Sequence, residues 1–316
     1  MSRDAKKPLI ILTGPTAVGK SALSVSLAKA VDGEIISADS MQVYRYMDIG
    51  TAKITEEEMQ GIPHYLIDEM DPWDEFNVVV FQQRCKACME KIYQKNKIPI
   101  IVGGTGFYIQ SVLYDIDFTE NDSDPVYRRR LEEFAKIHGS QLLHQELAKV
   151  DPASADTIHP NNVKRVIRAL EYYQQTGEKI SEHNEVQRQK LSPYRFVYYV
   201  LSLPRPVLYD RINRRVDLMR EQGLVEEVMR LKQAGCTRDM VSMQGLGYKE
   251  ILAALDGESS IDEAFEQIKL ETRHFAKRQF TWFRREREVT WLEKEKFSGE
   301  EELLAFCKQE IQEKLM

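Results

Sequence analysis

The chain has 316 residues, of which 42% are hydrophobic, enough for one large or two ordinary domains with a buried core. The net charge of −6 argues mildly against a nucleic-acid partner, so any such partner would need local basic patches. No apolar run approaches the roughly 20 residues of a membrane-spanning helix. The short polar segment before the first strand predicts no signal peptide, and we therefore expect a cytoplasmic protein.

The first predicted elements are a strand, a glycine-rich loop and a helix. Residues 8–13 form an apolar run typical of a buried strand, and residues 21–30 have helical spacing. Between them stand a glycine, four residues and then Gly-Lys-Ser, which is the P-loop pattern. Its members are Gly14, Pro15, Thr16, Ala17, Val18, Gly19, Lys20 and Ser21.

A loop of this kind binds phosphate for definite physical reasons. Its glycines allow backbone N–H groups to point inward, and the following helix adds the positive end of its dipole. Lys20 supplies a mobile charge, and the Ser21 hydroxyl can ligate Mg²⁺. The alternative is a chance glycine turn, but the flanking strand and helix are the context that the motif requires. The phosphates stay open, because a nucleotide and a prenyl diphosphate both offer a pyrophosphate.

Strands and helices alternate as far as residue 116. We predict strands at residues 34–38, 64–68 and 98–102, with helices at 76–95 and 107–114. This alternation predicts a parallel α/β sheet with right-handed crossovers.

Polar residues that follow strands of such a sheet face its ligand crevice. Asp39 is the carboxylate best placed to act as a general base, although it could equally cap a turn or bind Mg²⁺ through water. Asp68 is its rival, because P-loop proteins also present a magnesium carboxylate at a strand end. Thr105 lies in a second glycine loop, where its hydroxyl could bond a phosphate, a base edge or its own backbone.

Residues 117–194 contain helical patterns and no predicted strand, which indicates an all-helical insertion domain. Its predicted helices are residues 125–136, 140–149 and 161–175. The α/β character then returns. We predict strands at 195–201 and 289–292, and helices at 206–221, 224–233, 248–255, 261–284 and 300–314.

Two of the four cysteines, Cys85 and Cys88, have the CxxC spacing of some zinc sites. They lie inside a helical pattern, and no second pair or histidine follows at ligand spacing. We therefore interpret them as structural residues.

Basic residues cluster on three predicted helices. Guanidinium groups bind phosphate in bidentate fashion, and neighbouring aromatic rings can stack on bases. Each cluster could also be a solvated face paired with the many glutamates, but three clusters around a P-loop make a polyanionic second substrate plausible. They are Lys164, Arg165 and Arg168; Arg205, Arg211, Arg214, Arg215 and Arg220; and Arg273, Lys277, Arg278, Arg284, Arg285 and Arg287.

Six motifs in this order resemble the bacterial tRNA dimethylallyltransferases, also called tRNA isopentenyltransferases, over nearly the whole chain. They are GPTAVGKS at 14–21, DSMQVYRYMDIGTAK at 39–53, GGTGFY at 103–108, HPNNVKRVIRALE at 159–171, GLGYKE at 245–250 and TRHFAKRQFTWFR at 272–284. The P-loop alone is shared with many NTPases, whereas the set is specific. The zinc finger of the eukaryotic relatives has no counterpart here.

The resemblance implies transfer of a dimethylallyl group from dimethylallyl diphosphate to the exocyclic amine of the tRNA adenosine on the 3′ side of the anticodon, adenosine 37. It implies a P-loop-kinase-like core of residues 1–116 and 195–316, and an insertion that helps to grip the anticodon arm. It also implies that the P-loop holds the donor diphosphate with Mg²⁺ and is not an ATPase site. Asp39 corresponds to the general base, Thr105 lies near the reacting base, and Arg215 joins Thr16, Lys20 and Ser21 on the diphosphate. The corresponding tRNA contacts are Ser40, Met41, Gln42, Lys164, Arg165, Val166, Ile167, Arg168, Gln244, Gly245, Leu246, Gly247, Tyr248 and Lys249.

To these tRNA contacts we add Asp39 and Thr105, together with three residues of the last basic cluster, Arg273, Lys277 and Arg278. We expect a monomer. Two other functions remain open on the residues alone: a P-loop small-molecule kinase that uses Asp68, and an RNA-binding module without chemistry.

Overall fold

A computed structural model describes residues 6–118 and 124–315 of the chain. Its described residues form one parallel sheet of six strands in the order β3-β2-β4-β1-β5-β6. The strands are Pro8–Thr13 (β1), Gly33–Ser37 (β2), His64–Tyr65 (β3), Ile98–Gly103 (β4), Arg195–Ser202 (β5) and Val289–Glu293 (β6). This architecture confirms the predicted P-loop-kinase-like α/β core.

The chain divides into two compact units, one of residues 1–113 with 193–316 and one of residues 114–192. The helices of the first unit are Lys20–Val31 (α1), Glu56–Met59 (α2), Val78–Gln94 (α3), Gly106–Leu113 (α4), Arg205–Glu221 (α10), Leu224–Gln233 (α11), Tyr248–Leu255 (α12), Ile261–Phe283 (α13) and Glu300–Leu315 (α14). Those of the second unit are Pro125–His138 (α5), Ser140–Val150 (α6), Pro152–Thr157 (α7), Val163–Thr176 (α8) and Ile180–Gln189 (α9).

The central strand β1 is buried on both faces, which is why its sequence is a continuous apolar run. Ile10 and Leu12 pack in a cluster with residues of α1 and α14. Leu9 and Ile11 point to the opposite face, because successive side chains of a strand alternate. With β4 on one side and β5 on the other, the loop that follows β1 lies at the middle of the carboxyl edge.

The third strand is shorter than predicted. It ends at Tyr65 rather than near Asp68, because Leu66 and Asp68 have φ values of 61° and 54°. Such left-handed conformations end the pairing that an extended strand needs. The sequence gives no warning, since the run His64 to Asp68 is apolar except at its ends.

The second unit has its own apolar core, formed by buried side chains of α6, α7 and α8. Two of its helices, α7 and α9, were not predicted individually. α7 begins with an aspartate cap and a proline in its first turn, a start signal present in the sequence. All four cysteines are buried with free thiols. Within the described residues, no helix is long and apolar enough to cross a membrane.

Candidate active site

The P-loop connects β1 to α1, and glycine is required at both of its ends. Gly14 has φ 144°, and a Cβ there would lie 2.6 Å from the Leu201 carbonyl oxygen. Gly19 has φ 98° and caps the N-terminus of α1. These conformations are strained for any residue with a side chain. The loop therefore turns tightly enough to direct the positive end of α1 toward a bound anion.

Lys20 folds back over the loop that precedes it. Its ammonium donates hydrogen bonds to the carbonyl oxygens of Gly14 and Pro15, at 3.0 and 2.9 Å. The pKa of Lys20 is lowered to about 8, mainly by burial; the Asp39 carboxylate opposes this shift and the Arg215 cation adds to it. A bound polyanion would offset that cost of burial, because it stabilises the charged ammonium.

Arg215 reaches the same region from α10. Burial lowers the pKa of its guanidinium, while the carboxylates of Glu58 and Asp39 raise it. Lys20, Asp39 and Arg215 are thus three electrostatically coupled charges, contributed by three different elements. Two carboxylates, Glu58 and Asp39, thus offset part of the positive charge of Lys20 and Arg215, and the Arg215 guanidinium has the geometry to bind a diphosphate in bidentate fashion.

Asp39 follows β2, and its backbone-facing oxygen organises the turn that begins there. Oδ1 accepts hydrogen bonds from the N–H groups of Met41 and Gln42, at 2.9 and 3.4 Å. Oδ2 receives no hydrogen bond from the residues that the structure describes. Asp39 therefore caps a turn, which is one of the alternatives that the sequence left open. Its second carboxylate oxygen, Oδ2, could accept a proton.

The second glycine loop lies beside Asp39. A Cβ on Gly103 would lie 2.3 Å from the Ala38 carbonyl oxygen, so the ends of β4 and β2 approach as only glycine allows. The Thr105 N–H donates to that same Ala38 oxygen at 3.3 Å. Thr105 and Asp39 thus follow adjacent strands and are joined through one peptide group.

Helix α13 crosses both glycine loops, which the sequence did not predict. A Cβ on Gly104 would lie 2.2 Å from the Gln279 amide nitrogen, and one on Gly106 would lie 2.2 Å from the Trp282 ring. Gln279 is buried and bonds to the backbone of both loops. Only the helical spacing of three residues between Gln279 and Trp282 could have indicated a shared face.

The segment after Asp39 meets the loop before α12. A Cβ on Gly245 would lie 2.6 Å from the Met41 methyl group, so residues 40–42 and 244–249 are brought together. Tyr248 is fully buried and donates to the Glu227 carboxylate at 2.7 Å. Glu227, on α11, was not singled out from the sequence, where it resembles any glutamate of an amphipathic helix.

The three basic residues assigned to α13 differ in their surroundings. Lys277 and Arg278 are exposed, whereas Arg273 is partly buried and donates to the Asn213 amide oxygen at 2.7 Å. Asn213 belongs to α10, so Arg273 holds two helices together. Lys277 and Arg278 are the better placed for an external anion.

The basic run of the second unit is also divided by burial. Val166 and Ile167 are 0% and 3% exposed and belong to its apolar core. Lys164, Arg165 and Arg168 lie on the exposed side of α8. Among these five residues, side-chain contact with a polyanion is therefore possible only for the three cations.

Asp68 is an ion-pair partner in this structure. It pairs with Lys53, whose side chain is only 5% exposed and whose ammonium also contacts the Asp48 carboxylate at 2.6 Å. The Tyr44 carbonyl oxygen accepts a further bond from Lys53 at 2.8 Å. The ion pair with Lys53 gives Asp68 a structural role.

The donor set available to a divalent cation is small. The described residues contain no group of three His, Cys, Asp or Glu side chains that could hold a metal ion. Ser21 is exposed at the start of α1 and offers one hydroxyl oxygen. This set fits Mg²⁺ bound mainly through substrate phosphates and water, the usual arrangement for that ion.

The glycine loop lies between the central strand β1 of a parallel sheet and the helix α1, with cations around it. This arrangement places the chain in the class of P-loop-like α/β folds. The family model described as IPP transferase matches residues 42–286. The chain belongs to that IPP transferase family.

Named relatives agree with this assignment. A tRNA dimethylallyltransferase of Lachnoclostridium phytofermentans is 60% identical over 298 residues, covering 94% of this chain and 95% of the relative. One of Bacillus cytotoxicus is 50% identical, covering 99% and 98%.

Two solved structures are also similar. The tRNA isopentenylpyrophosphate transferase of Bacillus halodurans has a TM-score of 0.73 at 45% identity and covers 98% of both chains. A eukaryotic dimethylallyltransferase acting on tRNA has a TM-score of 0.83 at 30% identity, covering 98% of this chain and 81% of its own.

Proposed function

We propose that this chain transfers a dimethylallyl group from dimethylallyl diphosphate to the exocyclic amine of the tRNA adenosine on the 3′ side of the anticodon, adenosine 37. The supporting observation is the position of Asp39. Its carboxylate is coupled to the P-loop cation Lys20, and its strand end bonds to the loop that carries Thr105. The proposed proton acceptor Asp39, the P-loop with Lys20, and Thr105 thus lie at the same edge of the sheet.

The reaction divides the site into a leaving-group side and an acceptor side. The adenine amine attacks the first carbon of the dimethylallyl group, a C–N bond forms, and the C–O bond to the diphosphate breaks. The diphosphate leaves with the electron pair of that bond. Lys20, Arg215 and the loop N–H groups stabilise the charge that builds on its oxygens.

Asp39 accepts the proton that the amine loses. Its Oδ1 is engaged by the turn, which orients the carboxylate and leaves Oδ2 for the proton. Thr105, after the adjacent strand, supplies a hydroxyl within the same region that can bond an edge of the base. Mg²⁺, held by the Ser21 hydroxyl and the diphosphate, would supply further charge neutralisation when bound.

The tRNA would be held by solvent-accessible groups of each unit. In the first unit we propose the partly exposed Ser40, Met41 and Gln42, the accessible Gln244, Leu246 and Lys249, and the exposed Lys277 and Arg278. Gly245, Gly247 and Tyr248, also expected from the sequence to contact tRNA, are buried in the structure, so their side chains or Cα atoms are not open to it. In the second unit we propose the cations of α8. The target adenine must leave its stack, which a single-stranded anticodon loop makes less costly than a duplex does.

We propose that the enzyme works in the cytoplasm as a monomer. Sedimentation of the protein alone and with tRNA tests this: one chain per tRNA is expected, and a stable dimer at assay concentrations would contradict it.

Substitution of Asp39 tests the proposed reaction directly. Unmodified tRNA and labelled dimethylallyl diphosphate are incubated with the wild-type protein without ATP, and label in the tRNA is measured. Asp39→Asn keeps a carbonyl oxygen for the turn but removes the base. We expect its turnover to fall by about 10²- to 10⁴-fold, with tRNA affinity unchanged.

Asp68→Asn is the matched control, since its partner Lys53 keeps a second carboxylate, and most activity should remain. Wild-type turnover by Asp39→Asn would remove Asp39 from the chemistry. Phosphate transfer that requires ATP would instead indicate a kinase, and tight tRNA binding without turnover would indicate a binding module.

A further inference from the structure

One buried amide joins the two loops of the proposed site. Gln279, on α13, is 6% exposed. Its Oε1 accepts a hydrogen bond from the Thr16 N–H at 3.0 Å, and its Nε2 donates one to the Gly104 carbonyl oxygen at 2.9 Å. Thr16 belongs to the P-loop and Gly104 to the loop that carries Thr105.

The chemistry of the two partners determines which way the amide points. A backbone N–H can only donate and a carbonyl oxygen can only accept, so the oxygen of Gln279 must face Thr16 and its nitrogen must face Gly104. A side chain that both accepts and donates across one planar group is required here. Methionine cannot donate and is only a weak acceptor, and an ionised glutamate can only accept.

The surroundings leave the amide little freedom. A Cβ on Gly104 would lie 2.2 Å from Nε2, so the loop passes directly over the amide group. One turn further along α13, Trp282 packs against Gly106 in the same loop. The helix thus contacts this loop at two points and the P-loop at one.

We propose that Gln279 is a positioning residue that sets the distance between the P-loop and the loop that carries Gly104 and Thr105. This inference rests on the proposed function, in which one loop holds the leaving diphosphate and the other lies against the base. Attack on carbon requires the amine, the carbon and the leaving oxygen to be aligned. Because the two bonds join loops proposed to contact different substrates, their loss should reduce the rate more than the affinity for either substrate.

The first test separates turnover from binding. Gln279→Met keeps the size of the side chain but makes neither hydrogen bond. We expect kcat to fall by roughly 10- to 100-fold, as for a misplacement of about 1 Å, while the KM values for donor and tRNA change by less than about threefold. Gly104→Ala places a methyl group against the amide from the other side and should give the same pattern.

The second test uses pH. In Gln279→Glu a protonated carboxyl group can replace both hydrogen bonds, whereas the carboxylate repels the Gly104 oxygen. The ratio of variant to wild-type kcat should therefore rise as the pH falls from 8 to 5.5. A ratio independent of pH over this range would overturn the proposal.

The matched control is Gln82→Met. Gln82 is also buried, and it donates to the Ser111 carbonyl oxygen in the packing of α3 on α4. Its kcat should stay within about twofold of wild type. If Gln279→Met and Gln279→Glu are folded by circular dichroism and keep wild-type kcat, the positioning role is refuted. If the wild-type protein transfers no prenyl group, the proposed function has failed instead.

Discussion

Lys20, Asp39 and Arg215 lie where the carboxyl edge of the sheet meets the P-loop, and their properties depend on burial as well as on charge. Burial disfavours the ionised lysine, and the neighbouring arginine adds to that effect. The carboxylate opposes both. A dianionic or trianionic ligand would reverse the balance, so anion binding and the protonation of Lys20 are linked.

This linkage predicts a pH dependence for diphosphate binding. The pKa of Lys20 is about 8, so below that pH the lysine is already charged in the free protein. At higher pH the lysine is neutral in the free protein, and it must take up a proton when the diphosphate binds. Affinity for inorganic pyrophosphate, measured by calorimetry without metal, should therefore fall by up to about tenfold per pH unit above 8.

Lys20→Arg provides the control, since a guanidinium stays charged over this range. Its affinity is expected to be lower than that of the wild type at neutral pH but to lack the extra decline. Parallel curves for the two proteins up to pH 9.5 would show that Lys20 does not titrate near 8.

At the scale of elements, a buried carboxylate organises the segment that follows Asp39. Glu227 is 2% exposed and accepts from the N–H groups of Asp48, Ile49 and Gly50 at 2.9, 2.9 and 3.1 Å. Tyr248 adds a fourth bond, and burial together with the Glu227 charge raises the tyrosine pKa. The loop at 40–53 thus takes its shape from α11 and α12.

Removing the charge of Glu227 should loosen that loop. In Glu227→Gln the amide nitrogen cannot accept, so at least one N–H loses its partner at a cost of about 1–3 kcal/mol. We expect the KM for tRNA to rise by roughly 10-fold, while pyrophosphate affinity stays unchanged. Glu226→Gln, one residue earlier and exposed, is the control. Equal effects of the two variants on tRNA KM would contradict this account.

A second buried carboxylate connects two helices of the other unit. Asp151 is 0% exposed and caps α7. It accepts bonds from the N–H and hydroxyl groups of both Ser154 and Ser181, at 2.7–3.0 Å. Burial by itself would raise its pKa, but the bonds from Ser181 and Ser154 outweigh burial and lower it.

The lowered pKa of Asp151 has a defined consequence for stability. Because the folded value lies below the unfolded one, its contribution is present above the unfolded pKa and is lost as pH falls through the folded pKa. Asp151→Asn should weaken amide-exchange protection in α7 and α9 by about 1–3 kcal/mol at pH 7. That difference should shrink in more acidic exchange buffers.

The control for this substitution is Asp156→Asn, which changes an exposed aspartate of α7. Its protection factors should match those of the wild type. A loss of protection in Asp151→Asn that does not depend on pH would mean that the carboxylate charge is not what joins the helices.

At the scale of the whole molecule, the sheet order creates the site. β4 enters between β2 and β1, so the loops after β1 and β4 become neighbours and the end of β2 lies one strand further out. No local pattern in the sequence specifies that insertion. The alternation of strands and helices predicts a parallel sheet but is compatible with several strand orders.

The sequence alone determined the features that depend on neighbours along the chain. The strand–loop–helix of the P-loop, the apolar β1, β4 and β5, and most helices follow from periodicity and glycine placement, because their hydrogen bonds are local or their burial is complete on both faces. The motif set likewise identified the family. The short β3 was overestimated, since its end depends on two left-handed residues that no glycine marks.

Only the tertiary structure decided which polar residues act together. Gln279 lies 263 residues from Thr16, and Glu227 lies 179 from Asp48, yet each bonds directly to its distant partner. A glutamine or glutamate on an amphipathic helix has the same local pattern whether it faces water or a backbone N–H. Its role is set by what the fold places opposite it, because hydrogen bonding and desolvation depend on distance in space and not on separation along the chain.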